Sequence, residues 1–260
     1  MLRRYLTLCE YLLNSTLSTG KGGGSVGSVW SHLRLSVSYR LTENMASFVN
    51  LAMLRKQHIR THKLPGAPVF YCKGNPFKIQ AAIGLEIVAL LSQGLVQPSD
   101  IFILAPSLKS QTKNKTPVKR LENYLVESGI PVYVPVGDDD SLQGDCAHGK
   151  VVFSTFHQCK GLERKVVFVF CFSSKYFDFF GKELPRRICP CALYVAATRA
   201  TDAICFVAEG DDCTPLPFLD RKQLRELSNR GIVRLLQEPF QNGTLVASYY
   251  NQLGALAFIV

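Results

Sequence analysis

The sequence predicts an α/β fold built on a mostly parallel sheet with helices on both faces. Three observations point there. Short apolar runs recur along the chain, separated by stretches of ten or so residues with helical spacing. Two of these runs, IFILA at 101–105 and VVFVFCF at 166–172, are continuously apolar, as strands buried on both faces must be. A chain of 260 residues, 47% apolar and 19% charged, can also bury a full core in one domain with or without appendages.

Taken in order, residues 3–14 carry a weak helical pattern (Leu6, Leu8, Leu12, Leu13), and 15–28 form a Gly/Ser linker. Lys21 sits among its glycines. A phosphate loop needs Lys and then Ser or Thr directly after its last glycine, whereas here the order is reversed and no strand precedes it. Residues 33–37 alternate as a short strand, and Thr42 caps a helix that turns Ala46, Phe48, Val49 and Met53 inward. A strand follows at 69–72, then a helix over 79–93 ended by Gly94 and Pro98, then the buried strand 101–106. Beyond a polar loop at 107–116, Pro117 opens a helix that Gly129 closes, and 130–134 extends as a strand.

A turn-rich acidic segment at 138–149 leads to strand 151–153, and 166–172 is the next buried strand. Residues 192–200 read as a helix with Arg199 in its last turn, and 203–207 as a strand. The segment 219–236 reads as helical, and the terminal LGALAFIV has no assigned place. The strand–helix alternation is what makes the sheet parallel.

Lys and Arg total 30 against 20 acids, a net charge of +10 that draws polyanions. The nine cysteines include no CxxC pair and several lie in apolar runs, which fits free thiols in a reducing compartment. Nucleus, cytoplasm and mitochondrion all remain open; the Arg- and Ser-containing start is compatible with a mitochondrial presequence and equally with a short amphipathic helix. Cys189 and Cys191 with His148 or His157 match no usual zinc spacing, so no metal site is assigned. No apolar run approaches the ~20 residues that span a bilayer, so no membrane partner is expected.

Two clusters carry chemistry. The first is STFHQCKGLE, residues 154–163, between the runs VVF and VVFVF. Ligands of parallel sheets bind on the loops beyond the carboxyl ends of strands, where this stretch begins. Gly161 allows a positive φ or a close approach, Thr155 and His157 offer donors to phosphate oxygens, Lys160 adds charge, and Glu163 can accept from a ribose hydroxyl. The second is LYVAATRA, residues 193–200, whose small face brings a helix close to the sheet. Arg199 is there either as a cation at a helix C-terminus or as a guanidinium that reaches a phosphate.

Together these clusters resemble motifs V and VI of the UvrD/Rep-type superfamily 1 helicases. TFHQCKGLERKVVFVF is similar to T-x-H-x-x-K-G-L-E before an apolar strand, and LYVAATRA is similar to L-x-Y-V-A-x-T-R-A. LRLSVSYRLTENMASFVNLA resembles motif IV, and the resemblance covers about residues 31–208. It implies the second RecA-like domain of such a helicase, with residues 1–30 an N-terminal helix and linker and 209–260 a helical tail. It also assigns Arg40 and Arg199 to the γ-phosphate of ATP as catalytic arginine fingers. Glu163 goes to the sugar, with Gly161 shaping the nucleotide loop, and Thr155, His157 and Lys160 go to single-stranded DNA. Lys160 could equally be solvated, and Tyr39 and Tyr194 are read as packing residues.

The departures are as informative. No Walker A loop, acidic Walker B strand end or Gln-containing motif III stands ahead of Arg40. The resemblance therefore implies that ATP and Mg²⁺ act only once a Walker A-bearing RecA-like domain completes the site, in cis or in trans, and that the chain alone does not hydrolyse ATP. The alternatives are a non-catalytic nucleic-acid-binding or regulatory module derived from such a helicase, and a truncated gene product.

Overall fold

The structure, a computed structural model, describes residues 37–109, 116–137, 142, 144–209, 216–237 and 246–257. The Gly/Ser linker, the helical pattern before it and most of the strand at 33–37 lie outside these residues.

Nine strands are described. Two short ones, β1 (Val37–Ser38) and β2 (Arg60–Thr61), pair with each other. The other seven are β3 (Val69–Gly74), β4 (Ile101–Ala105), β5 (Val132–Tyr133), β6 (Val151–Thr155), β7 (Arg164–Val169), β8 (Ala200–Glu209) and β9 (Val233–Gln237). They form one sheet in the order β5-β6-β4-β7-β8-β3-β9, and every described pairing is parallel. The expected α/β class holds.

Period-two alternation divides the strand side chains between two cores. Tyr71, Leu104, Val167 and Phe206 face one, and Phe70, Ile103, Phe168 and Cys205 face the other. The first core is covered by α1 (Glu43–Ser47) with its π-helical continuation Phe48–Leu54, by α5 (Cys191–Ala197) and by α6 (Arg221–Asn229). The second lies under α2 (Pro76–Ser92), α3 (Pro117–Glu127) and α7 (Val246–Ala257). A short helix, α4 (Lys175–Phe179), follows β7. Fully buried Phe206 centres the first face, its ring 5.1 Å from Phe48 and 4.2 Å from Phe172.

The helix starts follow the local chemistry. The Thr42 hydroxyl accepts the Met45 N–H, Asn75 caps α2 with Pro76 at its first position, and Thr116 caps α3 ahead of Pro117. Where α2 meets α3, Gly84 lets the helices close up: a Cβ there would stand 2.6 Å from the Tyr124 ring.

Several expectations are corrected. The helix at 192–200 stops at Ala197, because the Thr198 hydroxyl bonds back to the carbonyls of Tyr194 and Val195 and Ala200 already pairs with Arg164 in the sheet. Arg199 is thus in the helix–strand connection, not the last turn. The helical segment at 219–236 is in fact α6, a turn at Gly231 with φ +72°, and edge strand β9 beside β3. The strand at 130–134 shortens to two residues, and the one at 166–172 starts earlier, at Arg164. Part of LGALAFIV extends α7, whose buried first residues pack on α2.

Candidate functional site

Strands β6 and β7 both run parallel to β4, so β6 ends at the carboxyl edge of the sheet and β7 must begin at the opposite edge. The chain between them, residues 156–163, therefore crosses the sheet. It does so over the first core, with Phe156 and Cys159 buried in it and Leu162 packed against it, while His157, Lys160 and Gly161 stay exposed. Burial pushes the Cys159 thiol up to about 12, although the nearby Arg199 cation pulls the other way. Gly161 has φ +87°, the left-handed turn that the sequence anticipated, and aims the chain into Glu163. STFHQCKGLE is thus not a loop at one strand end: Thr155 and Glu163 lie at opposite edges.

At the amino edge the fold gathers Arg40, Glu163 and Arg199. Arg40 Nη1 lies 3.5 Å from Glu163 Oε2, and the buried Arg40 Nε has no hydrogen-bond partner. Arg199 is 7% exposed, and all three of its nitrogens are engaged. Nε donates to Val195 O at 2.9 Å, Nη1 to Leu162 O at 3.1 Å and Nη2 to Thr198 Oγ1 at 3.1 Å. One guanidinium thus ties the end of α5 to the end of the crossover, reinforced by the Arg164 N–H to Arg199 carbonyl bond. Of its five N–H donors two stay uncommitted, one on each Nη. Burial and then the neighbouring Arg40 cation lower the Arg199 pKa, and Cys159, Glu163 and Tyr194 oppose them. Only Arg40 pairs with the Glu163 carboxylate, so an anion placed between the two guanidiniums would relieve their repulsion.

Arg164 adjoins this cluster and was missed in the sequence reading. Its guanidinium lies 4.7 Å over the Phe102 ring and donates to the Glu163 carbonyl at 3.0 Å. Tyr39 was read as packing but is 76% exposed, its ring 5.7 Å from that of His62. Tyr194 is partly buried against the first core, as read.

At the carboxyl edge an open cleft of about 500 Å³ lies among the loops that follow β4, β5 and β6. Its walls are 106–109, 135–137, Thr155, His157 and Gln158. The Thr155 hydroxyl donates to Gln158 Oε1 at 3.1 Å and accepts the Gln158 N–H at 3.2 Å, while Gln158 Nε2 donates to Gly137 O at 2.8 Å. Thr155 therefore braces the cleft, and exposed His157 and Lys109 are its free polar groups. Gln158 and the polar loop that begins at 107 carry no role in the sequence reading, although the carboxyl-edge rule already points to the loop after IFILA. Lys160 is exposed on the crossover, away from the cleft lining.

Among the described residues no group of three or more His, Cys, Asp or Glu could hold a metal ion, and no helix is long and apolar enough to cross a membrane. No family model matches the chain, and no curated protein does. Among solved structures it is similar to the C-terminal domain of a possible DNA helicase from Lactobacillus plantarum WCFS1, with 16% identity and a TM-score of 0.45 over 77% of this chain and 98% of that one. It is also similar to S. cerevisiae Dbp5 in a complex with Gle1 and IP6, with 11% identity and a TM-score of 0.36 over 78% of this chain and 48% of that one, about half its length. Likeness of this degree carries no functional argument.

Proposed function

We propose that the chain is the second RecA-like motor domain of an ATP-dependent DNA helicase of UvrD/Rep type. The amino-edge cluster receives the phosphate end of ATP, and the carboxyl-edge cleft receives single-stranded DNA. The observation that carries this reading is the crossover of residues 156–163: one short segment runs from the cleft wall at Thr155 to the arginine cluster at Glu163. Such a link is what a domain needs to couple nucleotide state to nucleic-acid grip.

The residues fit a phosphate better than a whole nucleotide complex. Arg40 holds Glu163 loosely, at 3.5 Å, and can turn to an incoming oxygen, while Arg199 offers its two free N–H donors from a fixed position. Glu163 is already paired to Arg40, so Mg²⁺, which would neutralise phosphate charge when bound, takes its ligands from a Walker A-bearing partner domain in cis or in trans. In the cleft, His157 and Lys109 face the DNA backbone and Gln158 keeps the wall in place.

A second reading, a regulatory module that kept the fold and lost the motor, is favoured by one observation: Arg199 spends three donors on its own chain. Phosphate release decides between them. The chain is assayed alone, with single-stranded DNA, and with a Walker A-bearing domain added. The motor reading expects no turnover alone and DNA-stimulated turnover in the mixture, lost in Arg40→Ala. Hydrolysis by the isolated chain would overturn the incomplete-site argument, and an inert mixture that still binds DNA would favour the regulatory module.

A further inference from the structure

A second cationic surface borders the amino-edge cluster: His62 lies against Tyr39, the neighbour of Arg40, and Lys63 reaches Thr201, two residues past Arg199. Residues 55–63 read RKQHIRTHK, with four Lys or Arg, two His and no acid. All of them are exposed except Ile59, which packs on the first core, and Thr61, whose hydroxyl donates to Leu41 O at 2.6 Å.

The row is held from beneath. Buried Asn50 accepts the N–H groups of His58 and Ile59 at 3.0 and 2.9 Å, and its amide donates to Ile59 O at 2.7 Å and to Gln57 Oε1 at 3.2 Å. β2 then pairs with β1, and Lys63 donates to Thr201 O at 3.3 Å. Two acids lie nearby: Asp220 stands 3.9 Å from Arg55, and exposed Glu43 bonds Leu64 through its backbone N–H. Neither is paired with Lys56, Arg60 or Lys63 among the described ion pairs.

We propose that residues 56–63 are a sequence-independent contact for the sugar–phosphate backbone of a nucleic-acid strand. The ligand must carry several closely spaced anions, because Lys56, Arg60 and Lys63 stand on one short backbone strap that Asn50 and β1 hold in place before anything binds. A phosphodiester chain does; an acidic peptide carries its charges on flexible stems and matches the row less well. The inference rests on this geometry and not on the motor reading.

The test measures fluorescence anisotropy of labelled oligothymidylate, and separately of a labelled duplex, with the full chain across a salt series. Three exposed charges are removed in K56A/R60A/K63A; the control R221A/K222A/R225A removes three from α6 and leaves net charge equal. Loss of three single-strand phosphate contacts lowers the slope of log affinity on log salt by about 2, so the affinity lost between about 50 and about 200 mM salt shrinks by about 20-fold. The control is expected to keep most of the slope. The oligonucleotide should also shield Lys56 and Lys63, but not Lys222, from acetylation in the unmutated chain, a readout that no folding defect can mimic. Whichever nucleic acid loses affinity identifies the form bound. Equal losses in the two triple variants, unshielded Lys56 and Lys63, or displacement by polyglutamate as effective as by oligothymidylate would each overturn the proposal.

Discussion

Replacing Arg199 with alanine tests whether its guanidinium is a tie or a free finger. The side chain makes three donor contacts at 2.9 to 3.1 Å, two of them to the backbone carbonyls of Val195 and Leu162. Truncation strands the Leu162 carbonyl in a partly buried setting, at a cost of about 1–3 kcal/mol, and leaves a void beside the crossover, whereas Val195 O keeps the Thr198 N–H and hydroxyl as donors. Loss of a desolvated cation next to Arg40 offsets part of this, so the net expectation is a destabilisation of about 1–2 kcal/mol. In a domain of this size that lowers Tm by roughly 2–8 °C in calorimetry or thermal circular dichroism. Arg199→Lys keeps the charge, but its three donors radiate from one nitrogen and cannot span acceptors that three separate guanidinium nitrogens reach, so it should recover less than half. Amide exchange over residues 156–163 should rise in both variants. An unchanged Tm in Arg199→Ala would refute the tie and leave the guanidinium free for phosphate. The practical consequence is that Arg40→Ala, which breaks one loose pair, is the cleaner probe of phosphate binding.

Other outcomes follow from the same geometry. Gly161→Ala forces an L-residue into φ +87° with open space around its Cβ, so the cost is backbone strain alone, about 1–2 kcal/mol in urea denaturation. Phe206→Ala empties the centre of the first core and should cost about 3–5 kcal/mol by the same measurement. Asn50→Ala should loosen residues 57–59, seen as faster exchange of the His58 and Ile59 amides while the β4 amides stay protected. Burial raises the Cys159 and Cys189 thiols from 9.0 to about 12. Their stabilisation is therefore complete below pH 9 and declines as pH rises through about 12, and Cys159→Ala should flatten that decline in a pH series of urea midpoints.

Much of the fold was legible because the two repeat lengths are plain. Continuous runs such as IFILA could only be strands buried on both faces, and the Thr42, Asn75 and Thr116 caps with Pro76 and Pro117 mark helix starts. What failed lay where local pattern and tertiary pairing disagree. Leu193, Ala196, Ala197 and Ala200 share a helical spacing, yet Ala200 is claimed by the ladder to Arg164. Residues 233–237 lack clean alternation because β9 is an edge strand exposed at Arg234 and Leu235, so only Gly231 signalled the break. For the site, the residue types in STFHQCKGLE were readable but their separation was not, since it depends on β7 being parallel to β6. Tyr39 was misread for a related reason: a tyrosine beside a strand looks like core until the two-residue length of β1 leaves it outside.

The crossover also has a mechanical meaning. Its ends are separated by the length of β6, five residues or about 16 Å of strand, and eight residues span that gap wound through successive turns, closed by Cys159 N–H to Thr155 O, Lys160 N–H to His157 O and Leu162 N–H to Cys159 O. Those bonds hold its length, and Phe156 and Cys159 bury its start and middle in the first core. In the proposed motor the segment would serve as a connecting rod: a displacement at one end would be delivered to the other instead of being absorbed. Lengthening it by a few flexible residues between Lys160 and Gly161 would leave the core packed yet uncouple the two edges, turning a transmission element into a tether.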